Sequence, residues 1–172
     1  MGDYNLLFAE KQDEEELRGI LWEYGMDIAG EIEHHLIIKE NDQVIAGAKI
    51  IEVEPGNFHL EVIGVRPDKK GMGYGSILLG EIVRNPWKCS KVLLTSWDSG
   101  IPYIITTLSR GKAEGFYKKL GFEPCEFERL PKLNQHQCSD CPDIETCNPV
   151  PMIFSQREVN YHRNRIACFY VR

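Results

Sequence analysis

Gly71, Gly73 and Gly75 stand at alternate positions, behind Lys69 and Lys70 and just ahead of Ser76. Glycines spaced this way leave backbone N–H groups uncovered by any Cβ, so an anion can approach the main chain closely. At the start of a helix such a turn favours a phosphate or diphosphate, because the N–H groups and the helix dipole act together. The two lysines add positive charge beside it. A Walker loop is excluded, since no Gly-Lys-Ser/Thr follows. A dinucleotide fingerprint is excluded too, since Ser76 stands where a third glycine is needed. A tight strand–helix turn with no ligand is the plain alternative.

A second cluster reads His136-x-Cys138-x-x-Cys141-x5-Cys147 in a proline-containing loop. A two-residue gap lets both sulfurs of Cys138 and Cys141 reach one tetrahedral ion, and Cys147 offers a third thiolate. The expectation is a structural zinc clip of this loop, with His136, Cys125 or Cys168 as fourth ligand. An iron–sulfur cluster lacks its fourth nearby cysteine. Free or reversibly oxidised thiols are the competing reading. His34 and His35 are poor co-ligands, because adjacent strand residues face opposite sides. Cys89 and Cys168 sit in apolar surroundings and read as core.

The elements around these groups follow from periodicity. Residues 6–9 read as a first strand. Asp13 reads as the N-cap of a helix, with Glu16 three residues on and Leu17, Ile20, Leu21 and Tyr24 as its buried stripe. Gly25 ends it. Strands are expected at 35–39, 43–53 and 58–65, separated by turns at Asn41-Asp42 and Pro55-Gly56-Asn57. Residues 71–84 turn helical and stop at Pro86. A strand at 91–95, a helix at 112–120 capped by Gly121 and a strand at 122–129 follow. Residues 130–150 read as a loop. Short strands are expected at 151–155 and 166–171. A strand–helix–strand unit inside a mostly antiparallel set implies a mixed α/β sheet.

Residues 61–68, Glu-Val-Ile-Gly-Val-Arg-Pro-Asp, followed by Lys-Gly-Met-Gly-Tyr-Gly at 70–75, resemble the acetyl-CoA signature of the GNAT N-acetyltransferase superfamily. That signature is Arg/Gln-x-x-Gly-x-Gly/Ala on a strand–turn–helix. Ala-Glu-Gly-Phe-Tyr-Lys-Lys-Leu-Gly-Phe at 113–122 resembles the family's second signature. The likeness covers residues 58–125, extends over 1–57 by topology, and is thin beyond 130. It implies an α/β (α+β) fold whose mostly antiparallel sheet is splayed at the co-substrate site and flanked by helices. It implies one acyl-CoA N-acyltransferase-like domain over 1–172, with a Cys-rich loop inserted at about 131–150. Backbone groups of Ile63, Gly64 and Val65 would pair with the pantetheine arm of acetyl-CoA. Lys70, Gly71, Met72, Gly73, Tyr74, Gly75 and Ser76 would hold the diphosphate, and Tyr117 would serve as general acid beside the thioester sulfur. Lys70 replaces the usual Arg/Gln and keeps the charge without the planar fork. Arg110 stands where many members carry an Asn that bonds the coenzyme, and a phosphate contact is the expectation for it. Residues 98–110 are longer than usual at this point, and Tyr103 among them is expected to shape the acceptor pocket.

Direct attack of an amine on a thioester needs a proton acceptor, an oxyanion donor and a proton for the leaving thiolate. His59 and Glu61 share one face of a strand and are the candidate bases. His59 has the better ordinary pKa for the task. Asp98 is a third option. The N–H of Val65 or of a neighbour on the splayed strand is the expected oxyanion donor. A rival reading is a non-catalytic CoA-binding or metal/redox-sensing module that works through Cys138, Cys141 and Cys147.

The chain has 172 residues with 20 basic and 26 acidic side chains, a balance of −6 that disfavours broad nucleic-acid binding. No apolar run approaches the roughly 20 residues of a membrane span, and the N-terminus lacks signal-peptide features. A cytoplasmic protein with reduced thiols is expected. The acceptor is a small-molecule or peptide amine; polyamine, amino acid, aminoglycoside-like compound and protein amine all stay open. Residues 156–172 read as an added strand or a homodimer contact.

Overall fold

The computed structural model describes residues 4–96, 101–136, 138–139 and 141–156. Among them seven strands form one sheet, in the order β1-β2-β3-β4-β5-β7-β6. β1 (Asn5–Phe8), β2 (Leu36–Glu40), β3 (Gln43–Glu54) and β4 (Asn57–Val65) form an antiparallel meander. Asn41 and Asp42 both take positive φ, at 50° and 62°, as the tight β2–β3 hairpin requires. β5 (Ile104–Arg110) then runs parallel to β4, and β7 (Pro149–Ser155) runs antiparallel to β5. The strand expected at 166–171 lies outside the described residues.

The sheet carries core on both faces. Ile37 and Val44 pack with Leu17, Ile20 and Leu21 of α1 (Glu14–Trp22). Leu36, Ile38, Ile45 and Ile50 pack with Leu78, Leu79 and Ile82 of α2 (Tyr74–Arg84). Burial on both faces explains the nearly continuous apolar run of β3. Gly47 sets how close α1 comes, since a Cβ there would lie 2.3 Å from Leu17 Cδ1.

Several expectations change. Asp13 does not cap α1; it accepts the Glu10 N–H at 3.0 Å and pairs with Lys39 Nζ at 2.6 Å. Glu16 reaches instead to the Val44 N–H, at 2.8 Å. α2 starts at Tyr74, and Pro86 both ends its run and opens a short helix, α3 (Pro86–Cys89), as a first-turn proline. Residues 91–95 form no strand. Val92 makes a single bridge to Ile51, and beyond it the N–H groups of Leu94 and Thr95 go to the Glu52 carboxylate at 2.7 and 2.8 Å. The true strand is β5, inside the segment 98–110 that is longer than usual and for which no strand is expected. Its Ile104, Ile105, Thr106 and Thr107 are β-branched and favour strand. Tyr103 is buried against Phe58 and Trp87 and donates to the Val83 carbonyl, so it belongs to the core rather than to an acceptor pocket. The helix expected at 112–120 shortens to α4 (Glu114–Lys118) after a 3-10 turn, with Gly121 closing it at φ 87°. The strand expected at 122–129 shrinks to β6 (Glu123–Pro124), because Pro124 has no N–H to continue a ladder and a 3-10 turn follows. A short helix, α5 (Ile144–Cys147), interrupts the cysteine loop.

Glu52 is a buried carboxylate with four donors: the N–H groups of Gly56, Leu94 and Thr95, and Thr95 Oγ1 at 2.5 Å. Burial opposes its charge, and the bonds from Thr95, Gly56 and Leu94 outweigh burial and hold the carboxyl below its usual range. A glutamine presents one acceptor oxygen and turns an NH2 toward these donors. Glu52→Gln is expected to cost about 2 kcal/mol in urea unfolding. The exposed Glu54→Gln should stay within about 0.5 kcal/mol of wild type in the same assay.

Candidate active site

β4 and β5 pair only from Asn57–Ile104 to Leu60–Thr107. Beyond that rung the strands separate, and residues 61–65 of β4 have no partner on the β5 side. Backbone alternation decides what they expose. The Arg66 N–H donates to the Ile45 carbonyl at 2.8 Å, which makes that pair hydrogen-bonded and Gly47–Gly64 the next such pair. Ile63 and Val65 therefore turn their N–H and C=O groups into the gap, while Gly64 turns its own toward β3. Gly64 serves packing as well, since a Cβ there would press on Leu21, Ile20 and Tyr24 at 3.2–3.4 Å.

A cleft of about 490 Å³ opens along this edge. Its walls are Ile63, Gly64 and Val65 on one side and Phe116 and Tyr117 of α4 on the other; its end is the turn before α2. Gly71 and Gly73 have φ of 78° and 93°, which side chains rarely adopt. No side chain caps α2, so the N–H groups of Gly73, Tyr74, Gly75 and Ser76 stay available at its positive end. The Lys69 charge is spent on Glu40 at 2.5 Å, and Tyr74 donates its hydroxyl to the same carboxylate at 2.7 Å. Tyr74 thus anchors the turn from the core and offers the cleft mainly its backbone. Lys70 lies over the Tyr24 ring, 4.5 Å from its centroid, and lines the cleft. Met72 is 54% exposed, and its N–H donates to the Lys69 carbonyl at 3.3 Å.

A second cavity, about 370 Å³, lies on the other side of the fork. It shares Tyr24, Ile63, Ala113 and Tyr117 with the first, so the two meet there. His59 and Glu61 both line it. His59 is buried, with Nδ1 2.9 Å from Thr106 Oγ1. Thr106 donates its single hydroxyl hydrogen to the Phe58 carbonyl at 3.2 Å. The contact to the ring is therefore assigned as Nδ1–H donating to Thr106, which leaves Nε2 a bare lone pair. Burial pushes His59 down to about 4, against the pull of the Glu61 carboxylate. Glu61 is held by Lys49 at 2.8 Å, and Lys49 also donates to the Ala29 carbonyl at 2.6 Å. Tyr117 is buried and hydrogen-bonds with Thr107, whose own hydroxyl donates to the Leu60 carbonyl at 3.0 Å. Burial pushes its phenol up to about 12, with Thr107 pulling weakly the other way. Both groups are therefore neutral near pH 7.

Arg110, at the end of β5, lines the second cavity rather than the glycine turn, so a phosphate contact is not where its side chain sits. Cys138 and Cys147 line the second cavity as well. Among the described residues no group of three His, Cys, Asp or Glu side chains is arranged to hold a metal ion. The zinc set Cys138, Cys141 and Cys147, with His136 or Cys125 as fourth ligand, does not fit. Burial raises the Cys138 thiol, and Cys147 and Cys141 raise it further. Cys89 is core, as expected, and its thiol is pushed up to about 12 by burial. Asp98 and Cys168 lie outside the described residues. Thr106, Thr107 and Lys49 were not foreseen in these roles. Lys49 carries a signal, a lone charge inside the apolar run 44–51, which must find partners where it is buried.

A mixed sheet forked between β4 and β5, with a capless glycine turn at the mouth of the fork, defines an acyltransferase architecture. Residues 31–124, more than half of the chain, match the family described as acetyltransferase (GNAT) domain. The chain belongs to the GNAT acetyltransferase family. Solved structures share its fold at low identity. N-acetylglutamate synthase from Neisseria gonorrhoeae, complexed with coenzyme A and N-acetyl-glutamate, superposes with a TM-score of 0.67 at 15% identity, over 92% of this chain. This chain spans 36% of that protein's chain, about a third of its length. Ard1 from Thermoplasma volcanium gives 0.62 at 13% identity, over 90% of this chain and 99% of its own. The ribosomal-protein-S18-alanine N-acetyltransferase from Escherichia coli gives 0.60 at 16%, over 92% and 98%. No curated protein sequence matches the chain. No helix among the described residues is long and apolar enough to cross a membrane.

The buried neutral His59 makes stability depend on acid. Its folded pKa of about 4 lies below the ordinary 6.5, so between these values the unfolded chain binds a proton that the folded one refuses. Stability is complete above about pH 6.5 and falls as pH drops toward 4, by roughly 3 kcal/mol in total. Urea midpoints measured from pH 7 to 4 should show this fall in wild type. His59→Gln should flatten it by a comparable amount, and an unchanged slope would refute the assignment.

Proposed function

We propose that the chain transfers an acetyl group from acetyl-CoA to a primary amine by direct attack. The meeting of two cavities at Tyr117, one ending at the capless glycine turn, carries this reading. The diphosphate would rest on the N–H groups between Gly71 and Ser76, with Lys70 beside it. The pantetheine arm would pair with Ile63 and Val65, whose backbone groups face the gap. The acceptor would enter from the His59 side. Two of the similar structures support an amine acceptor: one is complexed with coenzyme A and N-acetyl-glutamate, and another is a ribosomal-protein-S18-alanine N-acetyltransferase.

The chemistry follows from the protonation states. The amine nitrogen attacks the thioester carbonyl and the C–N bond forms. The oxyanion meets the N–H of Val65. Nitrogen bonded to that carbon is far more acidic than a free ammonium, so the weakly basic Nε2 of His59 suffices to take its proton. The C–S bond then breaks, and the phenol of Tyr117 gives its proton to the departing thiolate. Solvent carries the proton from His59 back to Tyr117. The products are the acetamide and coenzyme A. Glu61, neutralised by Lys49, braces the cavity wall in this scheme rather than serving as base.

Calorimetry and steady-state kinetics test the reading together. Wild type should bind coenzyme A and turn over acetyl-CoA with a member of a broad amine panel. Tyr117→Phe should lose roughly a hundredfold in kcat while its affinity for coenzyme A stays within about twofold. No heat with saturating coenzyme A would refute the site. Full kcat in Tyr117→Phe would refute the acid role.

A further inference from the structure

The charges lining the second cavity do not balance. Glu61 is the carboxylate on its wall among the described residues, and Lys49 cancels it at 2.8 Å. His59, Tyr24 and Tyr117 add polar atoms without charge. Arg110 adds a full positive charge. Its guanidinium makes no ion pair or hydrogen bond with any described residue.

Arg110 lies next to the turn that ends α1. Gly25 takes φ 63°, and a Cβ there would stand 2.7 Å from Arg110 Nη2. The exposed guanidinium therefore lies beside the backbone of the loop after α1. Strand alternation puts Thr106, Leu108 and Arg110 on one face of β5. That is the face on which Thr106 holds His59. Arg110 thus stands four residues above the imidazole's partner, about 13 Å along the strand. An acceptor whose amine reaches His59 and Tyr117 points its other end toward Arg110.

We propose that Arg110 is a specificity-determining residue, and that the acceptor is an amine that also carries an anionic group, a carboxylate in the first instance, which the guanidinium binds at the outer end of the cavity. This rests on the acyl-transfer reading above. It selects among the open acceptor classes. An amino acid or an acidic peptide fits an unpaired guanidinium, and a polyamine or other polycation does not.

Matched acceptor pairs test it: ω-amino acids against n-alkylamines of equal length, and α-amino acids against their carboxamides. Acetyl-CoA consumption is followed with wild type, Arg110→Ala and Arg110→Lys. In wild type the carboxylate member should be favoured in kcat/KM by roughly ten- to a hundredfold, the range of a charge-assisted hydrogen bond. The preference should fall to within about threefold in Arg110→Ala and return in part in Arg110→Lys. Affinity for coenzyme A should not change, because Arg110 does not line that cleft. Equal use of both members by wild type, or a preference that survives Arg110→Ala, overturns the proposal and leaves acyl transfer standing. If coenzyme A binds and no amine is turned over, acyl transfer fails and titration of the same carboxylates into the coenzyme A complex decides. Heat lost in Arg110→Ala then supports the anion site, and no heat in wild type overturns it.

Discussion

Hydrogen bonding between β4 and β5 stops at Leu60 and Thr107, and the working part of the molecule depends on that stop. A strand edge left open inside a protein costs about 1–3 kcal/mol for each unmet polar group. The fold limits that cost at both ends of the gap. At the fork, the Thr106 and Thr107 hydroxyls bond to the carbonyls of Phe58 and Leu60. At the far end, Tyr24 gives its hydroxyl to the Val65 carbonyl at 2.7 Å. Between these points the groups of Ile63 and the N–H of Val65 remain for a ligand. The paired half of the fork is held by edge-to-face contacts of Phe58 with Trp87 and of Trp87 with Tyr103, at 4.9 and 5.3 Å between ring centroids. The opening is thus confined to the length that the two cavities occupy.

Burial acts on the two ionisable groups nearest the fork in opposite senses and leaves both uncharged. It raises a phenol and lowers an imidazole, because in each case it disfavours the charged form. Tyr117 keeps its proton and His59 lacks one, the states that the proposed acid and base roles need. The surrounding charges are mostly cancelled in advance, Lys69 by Glu40 and Lys49 by Glu61. Among the described residues, three cations on the cavity walls stand outside such ion pairs: Lys70 and Lys119 in the cleft at the glycine turn, and Arg110 in the second cavity. A site arranged this way spends little on internal reorganisation and keeps its unmatched charge for what enters.

The meander, both long helices and the glycine turn were legible because each rests on local rules. Alternation, a capping glycine or a hairpin dipeptide acts within a few residues. The middle of the chain was misread because a long-range contact overrode such rules there. Residues 91–95 look like a strand by composition, yet Glu52, about forty positions earlier in the chain, takes the donors of Leu94 and Thr95. With that segment counted as a strand, Ile104–Arg110 was left over as an insertion. Its β-branched start was the available signal. Asp13 failed for a similar reason, since a cap is local but its partner Lys39 is not.

The same contrast divides the site. The cleft for the co-substrate is assembled largely from one continuous strand–turn–helix, residues 63–76, so its parts were readable in order along the chain. The second cavity, the proposed acceptor site, draws on the loop after α1, on β4, on the end of β5 and on the cysteine loop, which are brought together only by folding. Its wall is held by single side chains at a distance. Lys49 ties Ala29 to Glu61, and His35 accepts the Ala29 N–H on Nε2 at 3.3 Å while Nδ1 bonds to the carbonyls of Glu31 and Ile32. Those two residues turn an irregular loop into a fixed surface, and neither belongs to any motif. A co-substrate that is always the same molecule can be met by a contiguous signature. The acceptor role proposed for Arg110 has no such signature, since Arg110 and Glu61 line one cavity only once the chain is folded.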